Sequence, residues 1–246
     1  MPVNRIALPD VDGRWRRWLG HAWPGRCLAC AEVGQSGHDL CAACLESLPW
    51  NRPACARCAI PLPDAVDDAS AAPHCGACLR KPPPLRAVHA AFVYASPLDR
   101  LLPRFKFHQD LAAGRLLAQL MAQSLAGADP PQALLPIPLH RARLRQRGYD
   151  QALELARPLA RALRLPLLSD ALLRRRATAP QSELDAARRR RNLRGAFVVR
   201  PGARLPPHVA LVDDVMTTGA TLHAAADALR RAGVARVDAW VCARVP

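Results

Sequence analysis

The chain has 246 residues, half of them hydrophobic, with 35 basic and 20 acidic side chains and a net charge of +15. This length allows one medium domain with a sizeable core and one small domain. No apolar run approaches the roughly 18 residues that a membrane span needs, so we expect no membrane-spanning segment. Residues 1–23 contain no apolar stretch typical of a secretory signal, which favours a cytoplasmic protein. The basic balance favours contact with polyanions.

Residues 1–24 form a separate N-terminal segment in which three tryptophans stand among arginines. Trp15, Trp18 and Trp23 are compatible with a short amphipathic helix that touches a membrane or a nucleic acid. We expect instead that this segment docks on its own protein.

Eight of the nine cysteines form C-x-x-C pairs, namely Cys27/Cys30, Cys41/Cys44, Cys55/Cys58 and Cys75/Cys78. Each pair can place two thiolates on one tetrahedral metal ion. Disulfides are rare in the cytoplasm, and redox C-x-x-C motifs do not recur in this way. The spacing therefore predicts two structural Zn²⁺ ions, each bound by four thiolates. Sequential pairing is the simplest arrangement, and a cross-braced pairing of the first and third pairs stays open.

These patterns predict four segments along the chain. They are the N-terminal segment 1–24, a Cys-rich zinc-binding module at 25–80, a Pro-rich linker at 81–86, and a larger domain at 87–246. The module has few large apolar side chains, so it depends on metal binding, which supplies on the order of 10–16 kcal/mol per site. The acidic stretch Pro61–Pro73 is expected to be a loop within the second metal site.

Strand-like and helix-like patterns alternate in the larger domain. Strands are predicted at Ala87–Tyr94, Leu134–Leu139, Leu167–Leu173, Phe197–Arg200 and Arg236–Arg244. Helical patterns cover Pro97–Phe107, a stretch capped by Asp110 that runs to about Gly127, and Tyr149–Leu163. This alternation predicts an α/β fold with a mainly parallel sheet flanked by helices. Ligands of such sheets bind at the carboxyl ends of the strands.

The stretch His208–Thr221, HVALVDDVMTTGAT, has the features of a ligand loop at such an edge. The apolar run Val209–Val212 predicts a strand buried on both faces, which ends at two acidic residues, Asp213 and Asp214. The hydroxyl-rich turn Thr217–Thr221 then leads into a helical pattern that ends at Gly233. A helix start after a small turn favours a phosphate, while the carboxylates can accept from a ribose diol or bind Mg²⁺.

Three other motifs with an acidic strand end or a nucleotide-binding turn do not fit this sequence. A Walker B strand requires a P-loop, G-x-x-x-x-G-K-[ST], which the chain lacks. A haloacid-dehalogenase nucleophile requires a second Asp two residues after the first, where Val215 stands. The dinucleotide fingerprint G-x-G-x-x-G is also absent.

Three further blocks contain cations that suit a second polyanion, such as a pyrophosphate group. Lys106 stands between two phenylalanines, Arg147 ends an Arg-rich stretch that is expected to be a loop, and Arg190 lies in the polar stretch after Gln181. We select Lys106, Arg147 and Arg190 as possible pyrophosphate or anion contacts.

The order of these blocks resembles the ComF/GntX family of bacterial proteins from about Cys27 to the C-terminus. The resemblance rests on the C-x-x-C pairs, the run Cys75–Pro84, the Phe-Lys-Phe segment, and the blocks Pro136–Gln151 and Gln181–Phe197. It rests also on V-D-D-V-x-T-T-G-x-T, which is similar to the phosphoribosyl-pyrophosphate (PRPP) signature of type I phosphoribosyltransferases. Tyr149 and Asp150 depart from the family, which usually has Phe and Asn there, and Asp150 is expected to weaken an anion contact.

The resemblance implies a zinc-binding N-terminal module, a type I phosphoribosyltransferase domain and a role in DNA uptake during natural transformation. PRPP, with Mg²⁺, is then expected at the loop from Asp213 to Thr221, with Asp213 and Asp214 as the catalytic residues. The PRPP-binding positions are Asp213, Asp214, Val215, Met216, Thr217, Thr218, Gly219, Ala220 and Thr221.

Two functional hypotheses remain open at this stage. The first is a phosphoribosyltransferase with an unidentified acceptor, for which no residue stands out as a general base. The second is a non-catalytic PRPP sensor that binds single-stranded DNA or a DNA-uptake helicase. Aromatic residues make up only 4% of the chain, which argues against a surface that stacks bases.

Overall fold

The computed structural model describes residues 25–34, 39–63, 73–175 and 195–246. The N-terminal tryptophans, most of the acidic insert and the stretch that contains Arg190 lie outside these ranges. The chain divides between Ser47 and Leu48 into two compact units. No helix in the described part of the chain combines the length and apolar character needed to cross a membrane.

The described ranges contain six strands and seven helices. The strands are β1 (Val88–Val93), β2 (Ala133–Pro136), β3 (Leu172–Arg174), β4 (Phe197–Val199), β5 (His208–Met216) and β6 (Arg236–Arg244). The helices are α1 (Ala42–Glu46), α2 (Gly76–Arg80), α3 (Leu98–Phe107), α4 (Leu111–Ser124), α5 (Arg141–Arg147), α6 (Gln151–Leu163) and α7 (Ala220–Arg231).

Four strands form one sheet in the order β1-β6-β5-β2, and every neighbouring pair is parallel. The mainly parallel α/β fold expected from the sequence is therefore confirmed. A separate pair, β3 and β4, is antiparallel. The carboxyl ends of the four parallel strands meet at one edge, where Asp213 and Asp214 lie near the end of β5.

Both faces of β5 are buried, which explains its continuous apolar run. Val209 and Leu211 share a hydrophobic cluster with Ala225 and Leu229 of α7. Successive side chains of a strand point to opposite faces, so Ala210 and Val212 face the other layer, which contains α6. Water is excluded from both layers, and only the two carboxylates interrupt the apolar sequence.

Two local expectations were wrong, and the structure shows why. β5 does not end at Val212 but continues through the acidic pair to Met216, because Asp213, Val215 and Met216 pair with the equally long β6. The Arg-rich stretch Arg141–Arg147 is not a loop but helix α5. The ring Nδ1 of His140 accepts the Ala142 N–H at the start of this helix, and Gly148 ends it with a φ of 79°.

The second Cys-rich segment belongs to the larger unit and is bonded to the edge strand β1. The Asn51 N–H donates to the Ala91 carbonyl (3.0 Å), and the Val93 N–H donates to the Pro49 carbonyl (2.8 Å). The Val88 N–H donates to the Ala56 carbonyl at 2.9 Å. After this segment the chain returns to the sheet through Leu85, which is fully buried.

A buried carboxylate holds the amino-terminal ends of three strands together. Asp238 is 1% exposed and accepts hydrogen bonds from the Ala87 N–H (3.1 Å), His208 Nε2 (2.8 Å) and Arg236 Nη2 (2.8 Å). Arg236 reaches outward from this cluster to the exposed Asp129.

We expect Asp238→Ala to lower the free energy of unfolding by about 1–3 kcal/mol, because it leaves the half-buried Arg236 guanidinium, the His208 ring and the Ala87 amide without their buried acceptor. The measurement is chemical denaturation. Asp129→Ala removes the exposed partner of the same arginine and is the matched control, with an expected loss below about 1 kcal/mol. Equal losses in the two variants would contradict the account of Asp238 as a buried anchor.

Candidate functional site

The acidic pair lines a cavity of about 690 Å³ at the carboxyl edge of the sheet. Asp214 is only 6% exposed, and its Oδ2 lies 2.7 Å from Nζ of Lys106. Asp213 Oδ1 accepts the Asp214 N–H at 2.9 Å, and Asp214 Oδ1 accepts the Val215 N–H at 2.7 Å. Both carboxylates are therefore held in place while they border the cavity.

The position of Lys106 depends on the packing of α3 against α4. The ring of Phe105 is fully buried against Gly114, where an added Cβ would lie 2.5 Å from the ring. This close approach fixes the last turn of α3 and brings Lys106 to the acidic pair. Phe107 on the other side of Lys106 is 62% exposed at the rim of the cavity.

The pKa of Asp213 lies well above its ordinary value of 3.8. Burial is the main cause, and the charge of Asp214 adds to it. The charge of Lys106 and the hydrogen bond from the Asp214 N–H oppose the shift without reversing it. Two adjacent carboxylates in a half-buried site therefore favour a positive group between or beside them, whether a cation or a donated proton.

The turn after β5 places a glycine with a positive φ directly before α7. Gly219 precedes α7 in the left-handed region, with a φ of 74°. An added Cβ there would lie 2.5 Å from Cε of Met216 and 3.0 Å from Nε2 of His223. The N-cap residue Gly219 has no side chain that could cap α7, and the Ala220 N–H at the first position of the helix donates to the Thr218 hydroxyl at 3.5 Å. Asp213, Gly219 and Thr221 are among the residues around a second, small cavity of about 20 Å³ at this turn.

Four cations line the larger cavity among the described residues, namely Lys106, Arg143, Arg147 and Arg174. Lys106 and Arg147 were selected from the sequence, and the structure brings both to the cavity, whereas Arg190 lies outside the described residues. Arg147 donates through Nη1 to Gln151 Oε1 at 3.0 Å, and its guanidinium lies 5.4 Å from the ring centroid of Phe107.

Sequence reasoning did not select Arg143 and Arg174. Arg143 precedes Arg147 by four residues, so both lie on one face of α5, and recognition of that helix would have pointed to it. Arg174 ends β3, and no local pattern marks it. Burial lowers the pKa of Arg174 and the charge of Arg143 lowers it further, whereas Asp213 and Asp150 act in the opposite direction.

Asp150, a departure from the family pattern, has a structural role in addition to its place in the cavity wall. Its Oδ2 accepts the Leu139 N–H at 2.9 Å, and its Oδ1 accepts the Leu153 N–H at 3.2 Å as the N-cap of α6. Burial raises its pKa, while these backbone hydrogen bonds lower it. The carboxylate thus joins the chain after β2 to the start of α6. Tyr149 packs edge-on against Phe105, with ring centroids 5.9 Å apart.

The eight paired cysteines form two clusters in the sequential arrangement. Cys27, Cys30, Cys41 and Cys44 form one cluster, and Cys55, Cys58, Cys75 and Cys78 form the other. All sulfurs within a cluster lie within 4.8 Å of one another, and Sγ atoms of Cys30 and Cys41 and of Cys58 and Cys75 are 3.7 Å apart.

These distances fit zinc rather than disulfides. Four sulfurs about 2.3 Å from a tetrahedral ion are about 3.8 Å apart, whereas bonded sulfurs are about 2.0 Å apart. With four thiolates each, the clusters are closed, structural sites. The ninth cysteine, Cys242, is fully buried in β6 and belongs to neither cluster.

We expect Asp213→Asn to make the ligand-free protein more stable than the wild type at neutral pH. A group whose folded pKa is raised contributes stability at low pH and loses that contribution as the pH rises through the folded pKa. The asparagine amide of the variant does not ionise, so the variant does not lose this stability as the pH rises. Its advantage in stability over the wild type therefore shrinks as the pH falls towards the ordinary Asp pKa of 3.8. Thermal unfolding across this range measures it.

Asp227→Asn on the exposed side of α7 controls for the loss of one surface charge. If Asp213→Asn and the wild type were equally stable at every pH, the raised pKa of Asp213 would be excluded.

Comparisons with known proteins find matches both to the Cys-rich segment and to most of the chain. Residues 18–79 match the double zinc ribbon domain family. DNA utilization protein YhgH of Escherichia coli O157:H7 is 35% identical over 231 residues, which cover 90% of this chain and 97% of that protein. Competence protein F of Haemophilus influenzae is 34% identical over 228 residues, covering 89% and 96%. Competence protein ComFC of Bacillus subtilis is 30% identical over 153 residues, 61% of each chain.

The similarity to YhgH and to competence protein F extends over nearly the whole length of those proteins. The chain therefore belongs to the ComF family of competence and DNA utilization proteins, the ComF/GntX family that its sequence resembles.

Proposed function

We propose that this protein binds PRPP through a type I phosphoribosyltransferase domain and acts in DNA uptake or utilization. One observation carries the proposal. The acidic pair Asp213 and Asp214 and the Thr217–Thr221 turn border the same edge of the sheet, where a cavity of about 690 Å³ also contains four cations. The turn, the acidic pair and the cations are thus complementary to a phosphate, a diol and a pyrophosphate group, respectively.

The residues suggest how each part of PRPP is held. Backbone N–H groups and hydroxyls of Thr217–Thr221 suit the 5′-phosphate, and Gly219 lets the backbone approach it closely. Asp213 and Asp214 can accept hydrogen bonds from the two ribose hydroxyls. The cations across the cavity, among them Arg143 and Arg147, face the space left for the pyrophosphate.

Transfer requires that the bond from C1 of the ribose to the pyrophosphate oxygen breaks, with its electron pair leaving on the pyrophosphate. A nucleophile, which loses a proton, then bonds to C1. The guanidinium groups stabilise the charge that grows on the leaving group. The pair of carboxylates offers the hard oxygen ligands that Mg²⁺ prefers, and the ion would add positive charge to the pyrophosphate. Lys106 pairs with Asp214 at this acidic site.

The link to DNA comes from the relatives, which are named for DNA utilization and competence. The net charge of +15 suits a protein that works beside a polyanion such as single-stranded DNA or in a complex with a DNA-uptake helicase. In a non-catalytic variant of this proposal, PRPP is a signal that the domain senses without turnover.

We expect Gly219→Ala to weaken PRPP binding at least about tenfold, the scale of one lost charge-assisted hydrogen bond. Alanine at this position is strained by the positive φ and displaces Met216 beneath the loop. Isothermal titration with PRPP and Mg²⁺ measures the affinity.

Gly233→Ala is the matched control, because Gly233 also has a positive φ, 95°, at the other end of α7 but no atom within 4 Å of an added Cβ. Its affinity should equal that of the wild type. Absence of binding heat in the folded, zinc-loaded wild type would refute the PRPP proposal.

Turnover is tested by pyrophosphate release in the presence of candidate acceptors. We expect Asp214→Asn to reduce release at least about 100-fold, the scale seen when one charge-stabilising group is removed. Asp227→Asn, exposed on α7, should release pyrophosphate at the wild-type rate. PRPP binding without release from the wild type, over a broad acceptor panel, would favour the sensor over the enzyme.

A further inference from the structure

A direct set of hydrogen bonds connects the second cysteine cluster to the turn that follows β5. Its centre is Arg244, the last residue of β6, which is half-buried. Arg244 donates from Nε to the carbonyl of Cys58 at 3.0 Å and from Nη1 to the carbonyl of Met216 at 3.3 Å. One guanidinium thus joins a metal-binding knuckle to the end of β5.

The backbone of this knuckle is held at neighbouring carbonyls as well. The Ala56 carbonyl accepts the Val88 N–H at 2.9 Å, and the Ala59 carbonyl accepts from Asn51 Nδ2 at 2.9 Å. The Cys58 carbonyl, which accepts from Arg244, lies between these two carbonyls along the chain. Three carbonyls of the knuckle are therefore held by hydrogen bonds, and the one at Cys58 is held by Arg244.

Met216 connects Arg244 to the loop itself. It pairs with Arg244 in the ladder of β5 and β6, its carbonyl accepts the Val245 N–H at 3.0 Å, and Thr217 follows it directly. Its side chain is 2% exposed, and its Cε would lie 2.5 Å from a Cβ added to Gly219. Met216 thus forms the floor of the loop through both its backbone and its side chain.

Charge supports the same connection. A Zn²⁺ ion with four thiolates has a net charge of −2, so a nearby guanidinium is favoured when the metal is bound. Loss of the metal would change both the position of the Cys58 carbonyl and the field at Arg244.

We propose that Arg244 is a positioning residue through which the metal of the second cysteine cluster sets the shape of the Met216–Thr221 loop. The metal is then a determinant of the loop as well as of the ribbon fold. The proposal deepens the proposed function, on which it rests for the identity of the ligand, but the coupling itself can be measured without PRPP.

The test is a double-mutant cycle with Cys75→Ser, which removes a metal ligand, and Arg244→Leu, which removes the bridge. Hydrogen–deuterium exchange of peptides that contain Met216–Thr221 reports the loop, and elemental analysis reports zinc. We expect each single variant to speed exchange of the loop at least about tenfold. The double variant should be no faster than Arg244→Leu alone, because one pathway transmits both changes.

Two variants control for general effects. Cys44→Ser removes a ligand of the first cluster, which belongs to the other compact unit, and should leave loop exchange at the wild-type rate. Arg230→Leu removes another arginine of the larger unit whose Nη1 donates to a carbonyl, that of Pro84 at 3.0 Å. It should also leave the loop unchanged.

If Cys75→Ser does not fold, graded chelation of the folded wild type and of Arg244→Leu replaces it, with zinc content and exchange followed in the same samples. Zinc loss should speed loop exchange in the wild type and have no further effect in Arg244→Leu. The same zinc-dependent change in both proteins, or no change in the wild type, would overturn the proposal.

A PRPP titration of the same samples separates this inference from the proposed function. If the wild type shows the zinc-dependent change in exchange but binds no PRPP, the coupling stands and the assignment of the ligand fails. If it binds PRPP but shows no zinc-dependent change in loop exchange, the coupling fails and the assignment of the ligand stands.

Discussion

The pairing of β5 with β6 is the constraint on which the rest of the structure depends. Parallel strands expose their carboxyl ends at one edge, and the ladder extends through Asp213 to Met216. The same ladder places Arg244 beside Met216, so it aligns both the carboxylates and the floor of the following turn. Because β5 is covered on both faces, its position cannot shift without opening the core.

Electrostatics at this edge are balanced rather than uniformly basic. Of the described residues that line the main cavity, four are cations and three are carboxylates. The carboxylates lie on β5 and before α6, and the cations come from α3, α5 and β3, so opposite charges approach from different elements. A ligand that carries both anionic groups and hydroxyls fits this division better than a simple anion does, which is the physical basis for favouring PRPP.

The two cysteine clusters have similar chemistry but different structural settings. The first belongs to the smaller unit, in which Leu40 is the only large apolar side chain buried among the described residues, so metal binding replaces a core there. The second is bonded to β1 and to Arg244 within the unit that contains the sheet. Zinc in the second cluster is thus attached to the scaffold of the candidate site, although both clusters arise from the same repeated spacing.

Local spacing in the sequence determined the four C-x-x-C ligand pairs, the strand-acid-turn arrangement of β5 and α7, and the parallel α/β class, because each is encoded by neighbouring residues, whereas the sequential sharing of an ion between pairs was decided by the tertiary structure. Sequence also pointed to Lys106 and Arg147 near the site. Only the tertiary structure decided that Lys106 pairs with Asp214, that Arg143 and Arg174 join the cavity, and that β5 continues beyond Val212. These facts depend on elements that are distant along the chain, and one arginine among many has no local mark that shows which partner it will meet.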